Sequence, residues 1–125
     1  MISVKDLREL TKELTILYAE DELWLRENMA ETLKRLFHHT LIAENGEEAV
    51  EYFKNNRVDL ILTDINMPKM NGVDFIKAVH ELSDPPPPII VLTAHTEAEL
   101  LMELIDLNID KFINKPVDKQ KLITT

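Results

Sequence analysis

Short apolar runs alternate with stretches of helical period along the whole chain, and that rhythm predicts its elements. Thr15–Ala19 is the first apolar run. Glu22 to Phe37 follows with Leu25, Met29, Leu33 and Leu36 at helical spacing. His39–Ala43 is the second strand candidate. Asn45 and Gly46 then lead into a helix with Ala49, Val50 and Phe53 on one face. Val58–Thr63 is nearly continuous in apolar residues, as in a central strand covered on both faces. A loop from Asp64 to Asn71 carries Pro68, and a helix from Gly72 is expected to bury Val73, Ile76 and Val79. Asp84 and the prolines 85–88 make a stiff connection, because each proline fixes φ and lacks an N–H. Ile89–Thr93 is the fourth strand, Thr96–Leu107 a helix, Lys111–Asn114 the fifth strand, and Asp118 opens a last helix. This β-α-β-α order implies one parallel sheet with helices on both faces.

The two ends depart from that rhythm. Residues 3–14 read as an amphipathic helix with Leu7, Leu10 and Leu14 on one face, and Ser3 and Asp6 have the spacing of a capping box. We therefore expect an extension over residues 1–14 and a domain over 15–125. Eight residues follow Val117, a helix of only roughly 12 Å. That is short cover for a sheet face, so a truncated last helix is expected, with a second copy of the chain as one way to complete the cover.

Composition narrows the possibilities. The chain has 125 residues, 45% of them hydrophobic, enough for one core. Its two glycines leave no room for a glycine-rich nucleotide cradle. A formal charge of −9 disfavours direct nucleic-acid binding by this segment. Without cysteine there is no disulfide or thiolate chemistry. No apolar run approaches a membrane span, and the charged first residues do not resemble a signal peptide. The chain is therefore expected to be cytoplasmic and to have no membrane partner.

The candidate chemistry lies at the strand ends. In an open parallel sheet, ligands bind beyond the carboxyl ends of the strands. Strand one ends at Glu20 and Asp21, strand three at Asp64, strand four at Thr93, and strand five just before Lys115. Carboxylates, a hydroxyl and an ammonium thus converge on one rim from four stretches of sequence. Clustered carboxylates repel one another unless a cation sits among them. A hard divalent ion with oxygen ligands removes that repulsion, and Mg2+ is the usual one where phosphate is handled. Lys115 and the Thr93 hydroxyl could then neutralise phosphoryl oxygens, leaving Asp64 as nucleophile. Alone, Asp64 would be a turn aspartate, Thr93 a capping hydroxyl and Lys115 a solvated lysine; their common register favours the functional alternative.

At these residues the chain resembles the receiver domains of two-component response regulators. The resemblance is carried by Ala19-Glu-Asp-Glu22, by Leu62-Thr-Asp-Ile-Asn-Met-Pro-Lys-Met-Asn-Gly72, by Val91-Leu-Thr-Ala94 and by Asn114-Lys-Pro116. It implies a flavodoxin-like, doubly wound five-stranded sheet of order 2-1-3-4-5. It also implies a signalling protein that catalyses its own phosphorylation and slow dephosphorylation, without turnover of a separate substrate. Asp64 would be the phosphoacceptor. Asp21, Asp64 and the Asn66 main-chain carbonyl would bind Mg2+, with Glu20 helping at longer reach. Thr93 and Lys115 would contact the phosphoryl group, and Phe112 would be the switch aromatic. Met67 and Pro68 would shape the loop beside the site. The donor would be a histidine kinase or a phosphotransfer protein, and the receiver of the signal an output domain or protein partner. His95, two residues after Thr93, and Asn66 are candidates for tuning the lifetime of the phosphate. Six of the eight residues 100–107 are apolar, so the helix over 96–107 is a candidate partner surface as well as a buried helix.

The competing class is a haloacid-dehalogenase-type phosphohydrolase, which also uses an aspartate nucleophile with Mg2+. It needs a second carboxylate two residues further on as general acid and base. Asn66 stands there and cannot serve, so Asp64 is expected to hold its phosphate and shed it slowly.

Overall fold

The protein is described from a computed structural model over residues 12–93, 109 and 111–114, with Thr93 and residues 111–114 as backbone only. Strands β1 (Thr15–Ala19), β2 (His39–Ala43), β3 (Leu60–Asp64), β4 (Ile89–Thr93) and β5 (Lys111–Asn114) form one sheet of order β2-β1-β3-β4-β5. All four pairings are parallel. Helices α1 (Leu23–Leu36), α2 (Gly46–Asn55) and α3 (Gly72–Leu82) fill the described connections.

Strand side chains alternate between faces, and the sequence assigns each face a core. Leu17, Ala19, Leu41, Ala43, Ile61, Ile89 and Val91 pack with Ala49 and Val50 of α2 and with Val73, Phe75, Ile76 and Val79 of α3. Ile16, Tyr18, Leu62 and Leu92 point the other way and pack with Met29 and Leu33 of α1. Each of the fully buried aliphatic side chains contributes roughly 1.5–3 kcal/mol by leaving water. β1 and β3 are covered on both sides, which explains their unbroken apolar runs.

Capping sets the helix starts. Asn45 and Asn71 each accept a hydrogen bond from the backbone N–H three residues on, at Glu48 (2.8 Å) and Asp74 (2.9 Å). Glu22 and Phe37 are the caps of α1, one residue beyond each of its ends.

Two expected boundaries shift. β3 begins at Leu60 rather than Val58, because Asp59 is engaged sideways: its carboxylate accepts from the Thr15 N–H at 2.9 Å while its own N–H donates to the Thr15 carbonyl at 2.9 Å. Of the helix expected over 3–14, the described residues Lys12, Glu13 and Leu14 are not helical. Lys12 and Glu13 form a turn, and the Leu14 carbonyl accepts from the N–H groups of His38 and His39 (3.1 and 3.4 Å) at the entrance to β2. The rest of that helix, the helix over 96–107 and the last helix lie outside the described residues.

Candidate functional site

β1 and β3 are neighbours in register, Ala19 beside Thr63, so the residues that end them lie side by side. Glu20 and Asp21 leave β1 there, and Asp64 is the last residue of β3. One carboxylate oxygen from each of Glu20, Asp21 and Asp64 lies within 4.8 Å of the others. Glu20 and Asp64 are buried and Asp21 is exposed, so the cluster opens to solvent on one side. Three oxygen donors at this spacing suit a hard divalent cation, which would relieve their mutual repulsion.

The two buried carboxylates are aimed by the backbone around them. The Glu20 N–H donates to the Ala43 carbonyl (3.0 Å), which docks this rim on β2, and Glu20 Oε2 accepts from the Glu22 N–H (3.2 Å). Asp64 Oδ1 accepts from the N–H of Ile65 at 2.7 Å. Thr63 Oγ1 donates to the Asp64 carbonyl at 2.9 Å, tying down the strand end from within the core.

Arg26, which pattern analysis does not single out, braces the same turn. Its Nη1 donates to the carbonyls of Glu20 (3.1 Å) and Asp21 (3.2 Å), and its Nη2 reaches Glu44 Oε1 at 3.3 Å. The only signal for it in the sequence is an arginine in the first turn of the helix that follows the acidic pair. Leu23 and Trp24 sit in that same turn and are exposed, Trp24 at 71%. They fall off the stripe Met29, Leu33, Leu36 that α1 buries.

Tyr18 lies two residues before Glu20, fully buried. Burial pushes its phenol well above the ordinary range, and the Glu20 and Asp64 carboxylates push it further. The hydroxyl stays protonated and has no hydrogen-bond partner among the described residues.

The loop after Asp64 places Asn66 exposed and Met67 buried, with Pro68 exposed. Lys69 has φ 67°, a left-handed conformation that is uncommon for a residue with a side chain. Thr93 ends β4 opposite Asn114 of β5, and Phe112 lies opposite Val91; their side chains, like all of His95 and Lys115, lie outside what is described.

The sequence profile of the response regulator receiver domain matches residues 16–125. The chain belongs to the response regulator receiver family. The receiver is 38% identical over 81 residues to the chemotaxis protein CheY of Thermotoga maritima, covering 65% of this chain and 67% of that one. It is 34% identical over 109 residues to the cyclic di-GMP phosphodiesterase of the same organism, covering 87% of this chain and 29% of that protein. The receiver thus spans under a third of the length of that larger relative. Among solved structures, the CheX–CheY–BeF3–Mg2+ complex from Borrelia burgdorferi matches with a TM-score of 0.82 at 25% identity, over 93% of this chain and 88% of that chain. The receiver's function is that of a phosphoacceptor in two-component signalling.

Proposed function

We propose that Asp64 of this receiver accepts a phosphoryl group from a phosphohistidine, with Mg2+ held by Asp64, Asp21 and the Asn66 main-chain carbonyl and supported by Glu20. The observation that carries this is the convergence of the Glu20, Asp21 and Asp64 carboxylates within 4.8 Å at the carboxyl ends of two adjacent central strands. When bound, the metal would supply charge neutralisation for the incoming phosphoryl oxygens. The chain's own groups do the rest. The hydrogen bond from the Ile65 N–H to Oδ1 orients the Asp64 carboxylate. The new P–O bond forms at an Asp64 carboxylate oxygen as the P–N bond of the donor breaks, and the imidazole leaves as a neutral base after taking up a proton. Thr93 and Lys115 would steady the transferred group.

The donor would be a histidine kinase or phosphotransfer protein. It must bring an imidazole to a carboxylate that is 4% exposed, so it must press against the rim that carries Leu23 and Trp24. Asn66 stands where a hydrolase would need a carboxylate, which supports a held phosphate and slow self-hydrolysis. His95 and Asn66 would set its lifetime. The phosphate would shift an existing equilibrium toward a state with Thr93 and Phe112 drawn inward, read by an output domain or a partner at the helix over 96–107. A cytoplasmic setting belongs to the same proposal; the absence of cysteine fits a reducing compartment.

The test is acetyl phosphate or beryllofluoride added with Mg2+ while amide resonances are followed by NMR. Shifts centred on residues 64–72 are expected, and they should vanish in Asp64→Asn. An unchanged spectrum would overturn the proposal.

A further inference from the structure

Two glycines are all the chain has, and both abut the loop that follows Asp64. Neither has a positive φ, so backbone freedom does not explain them; closeness does. Gly72 opens α3, and a Cβ there would fall on the Asp64 carbonyl oxygen and lie 2.9 Å from the Ile65 Cα. Its N–H donates to the Ile65 carbonyl at 2.8 Å. Gly46 opens α2, and a Cβ there would fall on the Met70 carbonyl oxygen, with the Met70 carbonyl carbon and Cβ each at 2.8 Å. Its N–H donates to that same Met70 carbonyl at 3.0 Å. The loop is thereby held at its start by α3 and near its end by α2.

Between those two holds the loop has little slack. Ile65 and Met67 are anchored in the core, the Met70 N–H donates to the Pro68 carbonyl at 2.8 Å, and Lys69 turns through φ 67°. The side chain of Asn45 fixes the first turn of α2 through Glu48, so Met70 is held against a rigid element. A left-handed lysine persists only where its surroundings over-determine it.

We infer that Gly46 is a positioning residue for the phosphoacceptor loop: the close approach of the α2 N-terminus to the Met70 carbonyl sets the conformation of residues 65–70, and with it the metal affinity of the site. The inference rests on the proposed metal-binding role of Asp64 and Asn66. A methyl group at position 46 must push Met70 outward, because the atoms it meets are backbone. Asn66 lies between the two holds, so its carbonyl moves with the loop. By linkage, if the clamp favours metal, metal must tighten the clamp.

The experiment compares Gly46→Ala with Val50→Ala, a buried position one turn further along the same helix. In metal-free protein, Gly46→Ala should shift the amide resonances of residues 65–70, which Val50→Ala leaves in place. Mg2+ affinity measured by calorimetry should fall at least fivefold in Gly46→Ala and less than twofold in Val50→Ala at a comparable loss of thermal stability. In wild-type protein, Mg2+ should slow hydrogen exchange of the Gly46 and Gly72 amides together by threefold or more, while the Ala49 amide, bonded to Asn45 within α2, keeps its rate. That wild-type measurement decides the matter if Gly46→Ala does not fold. Wild-type Mg2+ affinity in Gly46→Ala, or no slowing at Gly46 in the wild type, would overturn the inference alone. Failure of wild-type protein to bind Mg2+ would overturn the proposed metal site and the inference with it.

Discussion

Replacing Tyr18 by Phe should stabilise this domain, although it removes a polar group from beside the functional site. The Tyr18 ring is fully buried among Ile16, Met29, Leu33, Leu62 and Leu92. Its hydroxyl has no hydrogen-bond partner among the described residues. Leaving a buried hydroxyl unsatisfied costs about 1–3 kcal/mol, whereas the ring's apolar burial is the same in Phe. Against that gain stands the small gap left by one oxygen atom. A net gain of about 1 kcal/mol follows, or a rise in Tm of roughly 3–6 °C for a domain of this size. The alkaline limb adds a second signature. The folded-state phenol is raised by burial first and by Glu20 and Asp64 next. Above the ordinary tyrosine value of about 10, the unfolded chain gives up this proton while the folded one keeps it. Fewer protons are then bound unfolded than folded, so this group's share of stability is intact below about pH 10 and falls above it by about 1.4 kcal/mol per pH unit. Urea unfolding followed by far-ultraviolet circular dichroism, at pH 7 and stepwise from pH 9.5 to 11, measures both. Tyr18→Phe should be the more stable protein at pH 7 and lose less with rising pH. A loss of 1 kcal/mol or more at pH 7 would refute the reasoning, since it would mean that the hydroxyl is satisfied, for instance by a buried water.

Asp64→Asn should keep the fold and lose phosphorylation by acetyl phosphate, read by mass spectrometry; wild-type protein in excess EDTA should behave the same way. Asn45→Ala removes the cap that accepts from the Glu48 N–H at 2.8 Å and should cost about 1 kcal/mol in urea unfolding. Trp24→Ala, at a position 71% exposed, should change stability by under about 0.5 kcal/mol and leave acetyl phosphate reactivity intact. Transfer from a phosphorylated histidine phosphotransfer protein should slow several-fold in the same variant, measured by loss of label from the donor.

Much of this fold is written in local pattern. The runs at Thr15–Ala19 and Ile89–Thr93 match their strands residue for residue, because a parallel strand buried on both faces must be apolar throughout, and the edge strand His39–Ala43 matches its run as well. The asparagines at 45 and 71 mark helix starts because their side chains answer an N–H that the helix itself cannot. The acidic rim was legible for a topological reason: strand ends in a parallel sheet share one edge, so Glu20, Asp21 and Asp64 could be brought together before any coordinates. What pattern could not supply are contacts between segments distant in sequence. Nothing around Gly46 announces that its missing side chain makes room for Met70. Asp59 looks like an interruption in an apolar run, and only the neighbouring strand shows that it answers Thr15. Arg26 is invisible to periodicity because its partners are carbonyls, which every residue has. Tyr18 passed for one more apolar position in β1, since alternation records the ring and not the hydroxyl.

The different burial of the three carboxylates bears on how such a site can signal. Asp21 is exposed and can relax toward water or meet a cation as it arrives, whereas Glu20 and Asp64 are buried. Their fields act through a medium of lower dielectric and are screened less by salt. Adding a phosphoryl group at Asp64 places still more negative charge among them. That step is opposed unless a cation is present, and a cation in turn binds more tightly once the phosphoryl oxygens are there. On the proposed reading, metal and phosphate would therefore reinforce one another by a common coupling free energy. On the proposed site, the loop that joins Asp64 to α3 would touch both, which would make it the element whose conformation the pair can bias. It is also the element that the two glycines hold from either end. Stiffness in this loop would let a small change of charge at Asp64 reach Met70 and α2 before it dissipates in local motion; a slack loop would absorb the same change within a few residues.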